Sequence, residues 1–261
     1  MRLVHEKSGI ALHEGKRALV TARLQKRLRH GGFRTFREYV RYVEADTTGN
    51  EVVALLDAIA TNHTAFFREP QHFDFLREKV FRAFDDRDSD ASLGWCAACS
   101  TGEEAYTIAM AAHERYGDDA PQRVRLMATD LSTKALAAAK AGIYRAERIA
   151  ELPRHLVTKY FERGTGAHRG FVQVSPLLRR VVYFRRHNLL EPAPTGRFDF
   201  IFCRNVMIYF DHATQQHVID ELERRLTPGG YLFTSHSESL SRLRHNLQWV
   251  GPAVHRRESA R

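Results

Sequence analysis

From Phe73 onward, apolar runs of strand length alternate with segments of helical period, and this alternation constrains the fold more than any other feature of the chain. Residues 73–84 have helical spacing and lead into the polar break DDRDSD. Residues 92–97 read as a strand, 102–116 as a helix, 123–129 as a strand, and 132–141 as a helix opened by the N-capping Ser132. The strand FDFIFC, a helix over 213–226, the turn TPGG and the strand YLFTSH continue the pattern. Strands alternating with helices predict an α/β fold with a doubly wound, mostly parallel sheet. The segment 158–184 breaks the rhythm: RGTGAHRGFVQV and RRVVYF predict short antiparallel strands instead of a strand–helix–strand step.

The front of the chain has a different texture. Between Lys16 and Arg41 there are nine Lys or Arg residues against one acid, Glu38. Val20, Leu24 and Leu28 recur every four residues, and Lys16, Arg23, Arg27 and His30 form a neighbouring stripe, which predicts an amphipathic helix with a basic face. Gly31 and Gly32 stop it. Phe36, Val40 and Val43 form a second apolar stripe, with Arg34, Arg37 and Arg41 pointing elsewhere, and a third helix is expected over 51–60. The chain's net charge of +9 favours an anionic partner. Its 261 residues, 43% of them hydrophobic, suffice for one α/β domain and a smaller appendage. The opening MRLVHEKSGI has no apolar core of a signal peptide, and no run approaches the roughly 18 apolar residues of a membrane span. A cytoplasmic protein is expected, and three cysteines, an odd number, suit a reducing compartment.

In sheets of this type ligands bind at the carboxyl ends of strands, so the turn STGEE after the first strand is the first place to look for one. A dinucleotide site would carry GxGxxG there; two glutamates at a helix start disfavour a polyphosphate and suit an uncharged or cationic ligand. Asp130 ends the next strand, where a carboxylate can accept bonds from both hydroxyls of a ribose. A positively charged nucleoside held by acids at successive strand ends describes S-adenosylmethionine. Two other readings of the residues are weaker. CAAC at 96–99 lacks a second pair of metal ligands, and Cys203 and Asn205 lack the prolines that mark the catalytic motifs of nucleic-acid methyltransferases.

TNHTAFFREPQHF (61–73), ACSTGEEAYTIA (98–109), ATDLS (128–132), HNLLEP (187–192), FDFIFCRNVMIYF (198–210) and SHSESL (235–240) closely resemble the CheR family of chemotaxis receptor methyltransferases, in the family's order and over nearly the whole chain. The resemblance implies an S-adenosylmethionine-dependent enzyme, needing no metal, that esterifies glutamates of methyl-accepting chemotaxis receptors and releases S-adenosylhomocysteine. It also implies a helical N-terminal domain (1–60), a linker contributing to the cofactor site (61–72) and a methyltransferase domain (73–261) with an antiparallel subdomain at 158–184. By position, Asn62, Thr64 and Arg68 approach the cofactor, Glu104 binds its amino group, Asp130 its ribose, Asn188 and Leu189 lie beside its adenine, and Cys203 and Arg204 line the pocket below. Arg68 and Tyr209 are expected to flank the transferred methyl, and Lys16, Arg23, Arg27 and His30 to meet the receptor's helical bundle. Receptors, with their C-terminal tail in some family members, are the expected partners, through which alone the chain would meet a membrane. Nucleic acid is not expected, and a catalytically silent cofactor sensor is the alternative from another class.

Overall fold

The computed structural model describes residues 2–11, 15, 17–85 and 91–258. The chain forms α1 (Arg2–Ser8), α2 (Arg17–Gly31), α3 (Phe36–Ala45) and α4 (Asn50–Ile59), then a connection to α5 (Gln71–Phe75), a π-helical turn and α6 (Phe81–Phe84). There follow β1 (Ser92–Ala97), α7 (Glu103–Tyr116), α8 (Ala120–Arg123), β2 (Val124–Asp130), α9 (Thr133–Ala141), β3 (Ile143–Arg145), α10 (Arg154–Tyr160), β4 (Phe161–Arg163) and β5 (Phe171–Val174). The chain continues with α11 (Pro176–Arg179), β6 (Val182–Arg186), β7 (Phe198–Cys203), α12 (His212–Arg225), β8 (Leu226–Phe233), β9 (Leu247–Gly251) and β10 (Val254–Arg257).

The large sheet runs β6-β2-β1-β7-β8-β10-β9, parallel throughout except for β10, which is antiparallel to both of its neighbours. From β1 the chain moves outward to β2 and β6, then returns to lay β7 on the other side of β1. This reversal opens a crevice between the carboxyl ends of β1 and β7, where Ala97 and Cys203 are paired. Alternation along these strands explains why both can be central. Cys96, Phe200 and Phe202 enter one apolar cluster, and Trp95, Ala97, Ile201 and Cys203 enter the other. Gly94 makes the first face possible, because a Cβ there would lie 2.2 Å from Cζ of Phe200.

RRVVYF behaves differently from its sequence expectation. Val182–Arg186 pairs in parallel with β2 and forms one edge of the large sheet, while the small antiparallel sheet is β3-β5-β4 and takes its third strand from upstream, at Ile143–Arg145. Alternating exposure along β6, with Tyr183 and Arg185 outward, marks a half-buried strand, and a period of two does not encode direction.

In the front helices Val4, Leu28, Tyr39, Val43, Leu55, Leu56 and Ile59 form a separate core. The face of α3 that is buried is Tyr39 and Val43; Phe36 and Val40 are 39% and 38% exposed, contrary to the stripe read from the sequence. A polar knot fixes this rotation. Arg27 of α2 donates to both oxygens of Glu51 in α4, at 2.8 and 2.6 Å, and the Tyr39 hydroxyl donates to the same carboxylate at 2.8 Å. Arg27 is therefore turned inward and is not part of a solvent-facing docking stripe. Arg23 is likewise engaged, donating to the carbonyls of Ile59 and Ala60 and to Oγ1 of Thr61. The physical reason is their position: a stripe next to the apolar one lies at the edge of the packed face, where long side chains reach back over the core. His30 is exposed, and Lys16 lies outside the described residues. Exposed basic side chains among the described residues of these helices include Lys7 on α1, Lys26 and Arg29 on α2, Arg34 beside α3, and Arg37 and Arg41 on it.

The bonds from Arg27 hold the Glu51 carboxyl below its usual range. A depressed carboxyl stabilises the fold above its unfolded value, near 4.5, and loses that contribution as the pH falls through its folded value. Glu51→Gln should therefore cost about 1–3 kcal/mol at pH 7, and the gap to wild type should close as urea melts are repeated at pH values falling below that of an ordinary glutamate.

Candidate active site

The crevice at the β1/β7 reversal widens into a cleft of about 360 Å³. Its floor is the turn after β1. Ala98 and Ser100 adopt positive φ of 65° and 51°, and Gly102 follows at 97° with only 2.9 Å between an imagined Cβ and Cβ of Ala139. Here glycine is required both by the backbone conformation and by the close approach of α9. Asp130 stitches this turn to the next one: its Oδ2 accepts the Ser100 N–H and its Oδ1 the Ser132 N–H, each at 2.8 Å. Burial pushes its carboxyl up despite those amide bonds. A desolvated carboxylate with one spare lone pair on each oxygen suits the two hydroxyls of a ribose.

Glu103 and Glu104 begin α7 and part company. Glu103, 1% exposed, accepts from Thr101 Oγ1 at 2.6 Å and pairs with Arg148, so it braces the turn from behind. Glu104 lines the cleft, accepting from Cys96 Sγ at 3.2 Å and from Arg204 Nη1 at 2.8 Å. Burial raises its carboxyl, with Arg204 opposing. Cys96 and Cys99 are buried free thiols that pack in the apolar cluster, and desolvation holds both well above the usual range.

The opposite wall comes from the FFRE turn and the loop after β7. Arg204 is 4% exposed and reaches Glu104, the carbonyl of Arg68 at 2.5 Å and Oε2 of Glu69 at 3.0 Å. Phe67 and Glu69 stand at positive φ, 51° and 59°, on either side of Arg68. Such strain, of order 1–3 kcal/mol per residue, persists only where surrounding contacts enforce it, and it sets the direction in which Arg68 leaves the backbone. Arg68 lines the cleft and donates to the carbonyl of His63 at 3.2 Å. Tyr209 lines it too, its backbone carbonyl accepting the Ala11 N–H at 2.7 Å. Glu69, His72 and His236 bring three ligand atoms within 4.8 Å of one another, but the same Glu69 oxygen is already paired with Arg204.

The structure thus brings Asn62, Thr64, Arg68, Glu104, Asp130, Asn188, Leu189, Arg204 and Tyr209 around one cleft. Cys203 is not among them: it is fully buried in the apolar cluster with Trp95 and Ile201, because alternation along β7 turns its side chain away and hands the cleft wall to Arg204. The cleft also holds residues that the sequence did not assign to it. Arg23, expected at a docking face, is one lining residue, and Ser8 and Ile10 bring the chain's beginning to the same place. Asn188 Nδ2 donates to the carbonyl of Lys7 at 2.8 Å, a contact across 181 residues with no local sequence signal. His187, the first residue of HNLLEP, also lines the cleft. Its Nε2 and the Ser100 Oγ are buried beside the cleft with no hydrogen-bond partner among the described residues.

A doubly wound sheet with this reversal, whose first turn carries acids in place of a phosphate-binding glycine loop, defines an S-adenosylmethionine-dependent methyltransferase. The description "CheR methyltransferase, SAM binding domain" matches residues 62–254, and "CheR methyltransferase, all-alpha domain" matches residues 1–60. The chain belongs to the CheR methyltransferase family. The chemotaxis protein methyltransferase of Borreliella burgdorferi is 38% identical, over 98% of this chain and 92% of its own. That of Escherichia coli is 41% identical, over 97% and 87%, and chemotaxis protein methyltransferase 2 of Pseudomonas aeruginosa is 40% identical, over 95% and 88%. No helix among the described residues is long and apolar enough to cross a membrane.

Asp130→Ala should weaken S-adenosylhomocysteine binding by about tenfold to a hundredfold, since each lost bond to a charged acceptor is worth roughly 1.5–3 kcal/mol. Calorimetric titration of the variant, with its fold checked by circular dichroism, reads the change; wild-type affinity would remove Asp130 from the site.

Proposed function

We propose that this chain methylates side-chain glutamate carboxylates of chemotaxis receptors, giving glutamate 5-methyl esters and S-adenosylhomocysteine. The observation that carries this reading is the make-up of the cleft, which is lined by two desolvated acids, Asp130 and Glu104, and by a cation and a phenol, Arg68 and Tyr209. The acids suit a ribose and an ammonium group, and Arg68 with Tyr209 suits an anionic acceptor.

When bound, S-adenosylmethionine supplies a methyl group activated by its sulfonium. Asp130 would hold the ribose and Glu104 the amino group, with Asn188 and Leu189 at the adenine. The acceptor asks little acid–base chemistry of the protein, because a glutamate with an ordinary pKa of about 4.3 is an anion at neutral pH. What the chain contributes is placement. Arg68 steers the carboxylate by charge, and Tyr209 orients it by hydrogen bond, an effect that is largest at the transition state.

Two surfaces suit a receptor. Lys26, Arg29, His30, Arg34, Arg37 and Arg41 are exposed on the front helices and would meet a glutamate-bearing helical bundle by charge complementarity. The β3-β5-β4 sheet exposes Ile143 and Phe171, with Arg145 over the Phe171 ring at 5.3 Å, and would take a receptor's C-terminal tail.

Incubation with labelled S-adenosylmethionine and receptor-rich membranes tests the reaction: the label should be released by mild base, as an ester is. A base-stable label, or label on added RNA or DNA, would contradict it. Tyr209→Phe should lower kcat about tenfold or more while S-adenosylhomocysteine affinity changes less than about threefold. Arg37→Glu combined with Arg41→Glu should slow receptor methylation and flatten its salt dependence, because screened long-range attraction is what the change removes.

A further inference from the structure

The loop after β7 forms much of the cleft's acceptor wall, yet residues 204–206 lie outside any strand or helix, and Asn205 has a positive φ of 59°. Something else must hold it. The amide N–H groups of Asn205 and Ser235 donate to Oε2 of Glu238 at 2.7 and 2.9 Å, and those of Met207 and Ile208 donate to Oε1 at 2.8 and 3.3 Å. Glu238 is 6% exposed and does not line the cleft. A second link runs beside it: Asn205 Nδ2 donates to Ser235 Oγ at 2.7 Å, and that hydroxyl donates to Glu69 of the FFRE turn at 3.0 Å.

A carboxylate has about four lone-pair sites and no donor, and here each oxygen receives two backbone N–H groups. Concave rings of backbone amides are anion sites, and this one is filled by the protein's own side chain. We propose that Glu238 is the positioning residue for the acceptor side of the cleft. It fixes the turn Asn205–Tyr209, and through it the direction of the Tyr209 ring, without touching either reactant. The geometry explains why an acid is needed: a glutamine would turn an NH₂ group toward two N–H donors on one side. It also explains how a non-glycine residue is kept left-handed at position 205, since Asn205 is bonded at both its backbone N–H and its side chain. The inference rests on the methyltransferase reading for its catalytic consequence, whereas its structural half is independent of it.

Glu238→Gln tests both halves. In the wild-type protein, the amides of Asn205, Met207, Ile208 and Ser235 should be protected in hydrogen exchange, and in the variant they should exchange at least about tenfold faster, while amides of β1 and β2 keep their protection. In receptor methylation, kcat should fall about tenfold or more with S-adenosylhomocysteine affinity within about threefold of wild type. Adding Tyr209→Phe to Glu238→Gln should then cost less than about twofold, because the ring it alters is already misplaced. Glu238→Asp, which keeps an acceptor on a shorter stem, should lie between the two and serves if the glutamine variant does not fold. Unprotected amides in the wild type, a kcat within about twofold of wild type in both variants, or a full-size Tyr209→Phe effect in the Glu238 background would overturn the proposal. A wild-type protein that does not methylate receptors would instead sink the functional reading and leave the exchange result standing.

Discussion

The cleft depends on one buried cation. Arg204 stands where β7 ends, with its side chain inaccessible to solvent, and it joins Glu104 of α7, Glu69 and the Arg68 carbonyl of the FFRE turn into one unit. A guanidinium taken out of water needs its charge offset and most of its donors engaged. Two carboxylates and a carbonyl engage both terminal nitrogens of Arg204, its Nε is buried with no hydrogen-bond partner among the described residues, and the Phe73 and Phe202 rings lie 5.6 and 6.0 Å from its centre. Because the donors point in fixed directions, the partners are placed with respect to one another. The start of α7 and the wall formed by the FFRE turn and the loop after β7 therefore share one anchor.

That anchor also accounts for the strain around it. Phe67 and Glu69 hold unfavourable backbone conformations beside Arg68, and the bonds that hold them there come from different parts of the chain: Thr107 in α7, Ser235 after β8, and Arg204 itself. Asn205 repeats the arrangement one residue beyond the anchor, with Glu238 supplying the restraint. Strained turns around the reacting position, each tied to the sheet by charge-assisted bonds, are a means of fixing direction where regular secondary structure ends. For a reaction in which the acceptor is already ionised, direction is most of what catalysis requires.

The sequence made the parallel sheet legible because strand and helix periods differ and alternate without interruption from β1 to α9. It made the acids legible because strand ends are recognisable and charges there have few structural uses. Other features depended on contacts that no local pattern encodes. The carbonyl of Lys7 meets Asn188, and the N–H of Ala11 meets the carbonyl of Tyr209, so the end of α1 and the residues after it help close a site built mostly by the middle of the chain. Arg23 and Arg27 looked like an exposed stripe, but their targets, the end of α4 and Glu51, are read only once the helices are packed. Cys203 was placed at the cleft by the family resemblance, whereas alternation along β7 turns its side chain into the apolar cluster. RRVVYF was recognisable as strand, whereas its parallel pairing with β2 was not.

The most direct test of the account is a crystal structure of the protein with S-adenosylhomocysteine. The account predicts the ribose hydroxyls within hydrogen-bond distance of Asp130, the amino group at Glu104 with Arg204 still paired to Glu69, and Arg68 and Tyr209 facing the sulfur from the open side. A ligand seated away from Asp130, or a sulfur that faces neither Arg68 nor Tyr209, would contradict it.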